Sequence, residues 1–196
     1  MLHPSFPIET ARLSLRPFVD ADADALHAIQ RRPDVTRFLY WEPRTRSDVR
    51  RMIERRKSLT VLEREGDGLL LAAVLRTSGQ LIGDVSLRWV SEEHRQGEVG
   101  YVLHPEHQGH GYATEATAAM LRLGFAGLEL HRIIGRCDAR NTASARVMER
   151  LGMRREAHLV ENEFVKGEWT SELVYAILAD EWAVGIGSPG GPGRDP

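Results

Sequence analysis

The sequence predicts a mixed α/β fold of the α+β kind, a mixed sheet with helices on both faces. Three observations predict it. Apolar periodicity gives elements in the order β-α-α-β-β-β-α-β-α-β-β. The middle three strands follow one another through short polar connections, which suits an antiparallel meander. The two later helices stand between strands as crossovers, which puts helical layers on both sides of the sheet.

Each element has a local reason. Leu13 to Phe18 alternates apolar and polar residues up to Pro17, so it reads as a short strand ending in a turn. Asp20 is the expected N-cap of a first helix with Ala25, Leu26 and Ile29 inward, and Pro33 is its expected end. Ser47 is the expected cap of a second helix, with Val49, Met52 and Ile53 inward. Its outer face of Arg50, Arg51, Arg55, Arg56 and Lys57 reads as solvated. Leu69 to Leu75 is a continuous apolar run, as in a strand buried on both faces. Ser78-Gly79 turns it into Leu81 to Trp89, and a polar link leads to Glu98 to Leu103. In that last strand Val99, Tyr101 and Leu103 share one face, and Glu98, Gly100 and Val102 the other.

Pro105 stops the meander, and a helix follows from Gly111 to Phe125 with a small-residue face of Ala113, Ala116 and Ala119. Arg132 to Cys137 reads as a strand. Asn141 opens a helix with Ser144, Met148 and Leu151 on one side, and Gly152 stands at its C-cap. Arg154 to Glu163 and Ser171 to Leu178 are the last strands, joined through Lys166-Gly167. Residues 1–184 form one expected domain. Residues 185–196, rich in Gly and Pro, form an expected disordered tail.

A chain of 196 residues can bury a core without a metal or disulfide. Lys and Arg number 26 against 28 Asp and Glu, a formal charge of -2, which gives no support to a broad nucleic-acid surface. The single cysteine, Cys137, fits a reducing compartment. No signal-peptide pattern and no apolar stretch of membrane-spanning length stand out, so a cytoplasmic protein without a membrane partner is expected.

The feature with chemistry in it is Gln108-Gly109-His110-Gly111-Tyr112-Ala113, where a strand meets a helix. The first turn of a helix leaves backbone N–H groups unpaired, and their dipoles attract phosphate oxygens. Gly109 and Gly111 let such a group approach. A triphosphate-binding loop would need a Lys that is absent. A dinucleotide fingerprint would need a third glycine where Thr114 stands.

With these residues the sequence resembles the GNAT acetyltransferase superfamily, whose signature Gln/Arg-x-x-Gly-x-Gly/Ala fits Gln108 to Ala113. Glu98 to Ala116 and Thr10 to Pro17 resemble its ribosomal-protein N-terminal-amine (RimJ/RimL-type) branch, and Asn141 to Met153 matches the following family helix. The resemblance implies a mostly antiparallel sheet split at its middle and acetyl-CoA as co-substrate. In it the backbone of Tyr101, Val102 and Leu103 would bind pantetheine, with one N–H polarising the thioester. Gln108, Gly109, His110, Gly111, Tyr112 and Ala113 would hold the pyrophosphate, and Asn141 the pantetheine amide. The implied reaction is direct attack by a primary amine, either a protein N-terminus or a small molecule. A catalytically silent acyl-CoA-binding sensor is the alternative.

The expected base is Glu98, near the split; its other reading is an ion pair with a surface arginine. Glu161 and Glu163 lie on the strand that borders the acceptor site in relatives. Many relatives protonate the thiolate with a tyrosine where this chain has Met148, and Ser144, one turn earlier, is the expected substitute. Asn141 and Ser144 are also explained as a helix cap and its partner. His104, His107 and His110 lack a completing ligand set, so no metal is expected. Cys137 is expected in the core, as are Tyr40 and Trp41. The edge of the last hairpin offers pairing with a second copy.

Overall fold

The computed structural model of the chain describes residues 1–186. Its strands are β1 (Ile8–Glu9), β2 (Leu13–Arg16), β3 (Gly68–Leu75), β4 (Leu81–Ser91), β5 (Gln96–Leu103), β6 (Arg132–Asp138), β7 (Arg154–Val165) and β8 (Glu168–Leu178). Its helices are α1 (Ala23–Gln30), α2 (Pro33–Thr36), α3 (Arg46–Arg56), α4 (Tyr112–Arg122), α5 (Thr142–Arg150) and α6 (Ala179–Ile186). The strands form one sheet in the order β1-β2-β3-β4-β5-β6-β8-β7. Every neighbouring pair is antiparallel except β5 and β6, which run parallel because α4 crosses between them. The α+β sheet with helices on both faces is thus as the sequence predicts. Of the expected tail, residues 187–196 lie outside the described residues, and positions 185 and 186 belong to α6.

Alternation along the strands sends apolar side chains to both faces. On one face Val85, Leu87, Val99 and Ile133 pack in a core with Ala116, Ala119 and Met120 of α4 and Met148 of α5. On the other, Ala72, Val74 and Leu81 pack under Leu26 and Ile29 of α1 and Val49 and Ile53 of α3, with Phe18 beside them. Each fully buried side chain of this kind contributes about 1.5–3 kcal/mol, so the two layers fix α1, α3 and α4 against the sheet.

Four local readings are corrected. Asp20 does not cap the first helix: the carboxylate of Asp22 accepts the Val19 N–H at 2.9 Å and a two-pronged bond from Arg16 at 2.8 Å on each prong. That helix ends at Gln30, and Pro33 begins α2 instead. Thr45 rather than Ser47 caps α3, because Asp48 returns a bond to the Thr45 N–H while its own N–H donates to Thr45 Oγ1. Arg56 is not on the solvated stripe. It turns inward to Asp84 of β4 at 2.6 Å, and both side chains are largely buried.

One departure from regular pairing positions the rest. β5 pairs with β6 only from Gln96 opposite Arg132 to Val99 opposite Gly135. Beyond that, β5 stays with β4, ending at Leu103 opposite Gly83. β6 stays with β8, ending at Asp138 opposite Glu172. The sheet therefore opens as a wedge between Gly100–Leu103 and Arg136–Asp138. This is the split at the middle that the family resemblance implies.

The β4 side of the wedge depends on a glycine. A Cβ at Gly83 would stand 2.1 Å from the Val102 carbonyl oxygen, an atom held by its own strand. Gly83→Ala is expected to lower stability by about 1–3 kcal/mol, the cost of overpacking a core. A urea unfolding midpoint equal to that of the unchanged protein would refute this.

Candidate active site

A groove of about 610 Å³ runs through the wedge and is lined from both faces of the sheet. Its walls include Gly100 to Leu103 of β5, Arg136 to Asp138 of β6, the start of α4, the first turns of α5, and Asp34, Val35, Phe38 and Leu39 around α2. It gathers Tyr101, Val102, Leu103, Gln108, Gly109, Gly111, Tyr112, Ala113, Asn141 and Ser144 from the residues singled out in the sequence. His110 and Glu98 are not in its wall.

The glycine turn follows from its backbone. Gly109 and Gly111 have φ of 79° and 81°, in the left-handed region that side chains rarely adopt. Gly111 is the N-cap of α4 and carries no side-chain cap. The first helical bond runs from the Glu115 N–H to the Gly111 carbonyl at 3.0 Å, so the N–H groups of Tyr112, Ala113 and Thr114 have no partner within the helix. Thr114 Oγ1, also on the groove, is buried without a hydrogen bond. The Gln108 side chain donates to the Leu103 carbonyl at 3.2 Å and so ties the turn to the end of β5. The His110 ring is exposed and stacks on Tyr112 at 5.9 Å.

The opposite wall is α5. Asn141 Oδ1 caps it by accepting the Ser144 N–H at 3.1 Å, and among the described residues the Asn141 amide nitrogen makes no hydrogen bond. The Ser144 hydroxyl likewise makes none among them. The Tyr101 hydroxyl crosses the wedge and donates to the Ser144 carbonyl at 2.9 Å. Burial pushes the Tyr101 phenol well above its ordinary pKa, so it remains a donor across the physiological range. Met148 is buried against Gly135, whose absent Cβ would lie 2.7 Å from the Met148 sulfur.

On the α1–α3 face, around the wedge, charge is arranged differently. Arg136 stands between two carboxylates, 3.2 Å from Glu172 and 3.8 Å from Glu98. Glu172, on β8, is buried, and burial raises its carboxyl above the usual range although Arg136 opposes this. The Tyr40 hydroxyl is 3.5 Å from the same carboxylate, and Tyr40 is 67% exposed, so it does not pack in the core as expected. Glu163 is half-buried on β7, and Glu161 is exposed. Glu98 thus forms the ion pair that was its other reading. Glu172 and Asp84 were missed, although Asp84 is the one carboxylate of β4 and Glu172 directly precedes the apolar run Leu173 to Leu178.

Among the described residues no group of three or more His, Cys, Asp or Glu side chains is gathered as metal ligands. No helix among them is long and apolar enough to cross a membrane. Cys137 is half-buried on the groove wall rather than in the core. Burial, then Asp138, Glu172 and Glu149, push its thiol up to about 11. Cys137 therefore stays mostly protonated at neutral pH, which disfavours it as a nucleophile there. Its alkylation by iodoacetamide is expected to be slow at pH 7, to rise about tenfold per pH unit, and to level off only near pH 11. Cys137→Ala is expected to retain turnover, measured as thiol release from the acetyl donor.

With this geometry in hand, the likenesses to known proteins are informative. Residues 12–154 match the acetyltransferase (GNAT) domain family. The chain is 34% identical over 176 residues to YnaD of Bacillus subtilis, an uncharacterized N-acetyltransferase, covering 89% of this chain and 98% of that one. It is 26% identical over 117 residues to the spermidine N(1)-acetyltransferase of Escherichia coli, covering 60% of this chain and 63% of that one. The crystal structure of a GNAT-family acetyltransferase from Bacillus anthracis superimposes with a TM-score of 0.79 at 32% identity, covering 88% of this chain and 98% of that one. The family match spans the turn, the wedge and the capped helix, and the chain therefore belongs to the acetyltransferase (GNAT) domain family, as an acetyl-CoA-dependent N-acetyltransferase.

Proposed function

We propose that this enzyme acetylates a cationic primary amine, which enters the wedge from the α1–α3 face while acetyl-CoA lies along the opposite face. The observation that carries this reading is the groove itself. It joins a helix N-terminus, whose first N–H groups have no partner within the helix, to a wall that carries Asp34, Asp84 and Asp138 among arginines, through a gap where a strand has lost its neighbour. The fit to the donor is supported by the buried, unpartnered Thr114 Oγ1 and by the open space beside Gly109. Gln108 to Ala113 would hold the pyrophosphate, with the N–H groups of Gly109 to Ala113 as its donors, since the Gln108 N–H already donates to the Pro105 carbonyl. The backbone of Tyr101, Val102 and Leu103 would hold pantetheine and polarise the thioester carbonyl, with Asn141 on the pantetheine amide.

In this reading the amine loses a proton, its nitrogen attacks the thioester carbonyl carbon, and the carbon–sulfur bond breaks as the thiolate takes a proton. An α-amine has a pKa near 8 and an alkylamine about 10.4, so deprotonation needs a nearby acceptor. Glu98 lies where β5 leaves β6. Glu98 is the proposed acceptor, and Glu172 shares Arg136 with it. Ser144 is the proton source for the thiolate, its hydroxyl standing on the groove where Met148 offers none. The single cysteine supports the cytoplasm as the compartment.

The acceptor is either a protein N-terminus, as the likeness to the RimJ/RimL-type branch suggests, or a small amine of the kind the spermidine-acetylating relative uses. Thiol release from acetyl-CoA with a panel of N-terminal peptides and polyamines tests the proposal. Release with one of these classes and not with neutral nucleophiles is expected. No release with any amine, despite CoA binding, would replace this reading by that of a silent acyl-CoA-binding module. For the proposed acid, Ser144→Ala is expected to lower kcat about 100-fold with little change in the KM for acetyl-CoA. Unchanged kcat would remove Ser144 from the mechanism.

A further inference from the structure

The segment Thr10 to Arg12, part of the stretch that resembles the RimJ/RimL-type branch, has a physical task in the structure. Thr10 Oγ1 donates to Glu115 Oε1 at 2.6 Å, and the Arg12 backbone N–H donates to the same oxygen at 2.7 Å. Arg12 Nε donates to Glu115 Oε2, also at 2.7 Å. The guanidinium then reaches the turn: Nη1 donates to the His110 carbonyl at 2.8 Å, and the group lies 4.6 Å over the Tyr112 ring. The segment is itself held from β3's end, since Arg76 donates to the Thr10 carbonyl at 2.7 Å and pairs with Glu9 at 2.9 Å. A strand-linking loop near the start of the chain is thus bolted to a helix start about a hundred residues later.

Two consequences follow. In a trans peptide the carbonyl and the next N–H point in opposite directions. Holding the His110 carbonyl toward Arg12 therefore turns the Gly111 N–H away from Arg12. In keeping with this, Gly111 lines the groove and His110 does not. The second consequence is electrostatic. Glu115 places a carboxylate in the opening turns of α4, where a bare negative charge would repel a phosphate. Burial works to raise this carboxyl, and the bonds from Thr10 and Arg12 outweigh burial, so it stays ionised and paired. Arg12 cancels that charge while leaving the turn's N–H groups free.

We infer that Thr10, Arg12 and Glu115 form a brace that positions the glycine turn and sets affinity for a donor bearing a pyrophosphate, without acting on the acetyl group. This rests on the turn being the pyrophosphate site. The experiment compares two acetyl donors, acetyl-CoA and S-acetylpantetheine, which lacks the pyrophosphate. With Arg12→Gln the KM for acetyl-CoA is expected to rise about tenfold, while its kcat and both constants for S-acetylpantetheine stay as in the unchanged enzyme. Arg12→Lys, which keeps the charge and loses the planar fork, is expected to give a smaller rise in the same constant. It also serves as the test if Arg12→Gln does not fold. An equal loss with both donors would make Arg12 a purely structural residue, and no change with either would make it idle; both overturn the brace. If the unchanged enzyme shows no preference for acetyl-CoA over S-acetylpantetheine, the turn does not hold a pyrophosphate, and the reading beneath the brace fails instead.

Discussion

The structure depends on one interruption, the parting of β5 from β6 after Val99 and Gly135. Continuing the ladder would pair the backbone groups of Gly100–Leu103 and close the groove. Leaving them without a strand partner is costly wherever water is excluded, since an unpaired buried amide forfeits a bond. The fold tolerates this because each strand keeps its outer neighbour: β4 holds β5 to its end, and β8 holds β6 to its end. Gln108 then satisfies the Leu103 carbonyl, and the Tyr101 hydroxyl spans the gap to α5. What remains open is a short stretch of backbone donors and acceptors on the groove wall, which suits an amide-rich arm and a thioester.

The same interruption separates two electrostatic environments. On one side stand the free N–H groups that open α4, suited to an anionic donor. On the α1–α3 face stand the carboxylates of Asp84, Glu98 and Glu172. Arg56 and Arg136 keep these carboxylates from repelling one another. Glu115 is the exception, a carboxylate on the donor side, and it is the one most thoroughly bonded, by Thr10 and twice by Arg12.

Much of this was legible in the sequence, because strands, helices and the glycine turn leave short-range signatures. The turn was readable since Gly109 and Gly111 take a backbone conformation that few other residues accept. The cap of α3 was misread because Thr45 and Ser47 both offer a hydroxyl; Asp48, three residues after Thr45, decides between them. Arg56 fitted a basic helical stripe, and only Asp84 on a strand 28 positions away turns it inward. Arg12 and Glu115 are 103 positions apart, and no local pattern announces such a pair. Glu172 had a weak signal, a charge directly before an apolar run, with nothing local to announce its burial or its pairing with Arg136.

The replacement of the usual tyrosine by Met148 is also better understood in three dimensions. Met148 is almost fully buried, and its sulfur occupies the space that a side chain at position 135 would need. Gly135 and Met148 therefore form a packed pair, and Gly135 is the last β6 residue to pair with β5. The side chain at 148 touches the groove but is packed into the root of the wedge, and its thioether carries no proton to donate. A proton for the thiolate has to come from a group on that wall that carries one. Ser144 has a hydroxyl without a partner among the described residues, whereas the Tyr101 hydroxyl is already committed to the Ser144 carbonyl. The proposed proton source therefore stands at Ser144, one turn before Met148 on α5, while Met148 packs against Gly135 at the root of the wedge.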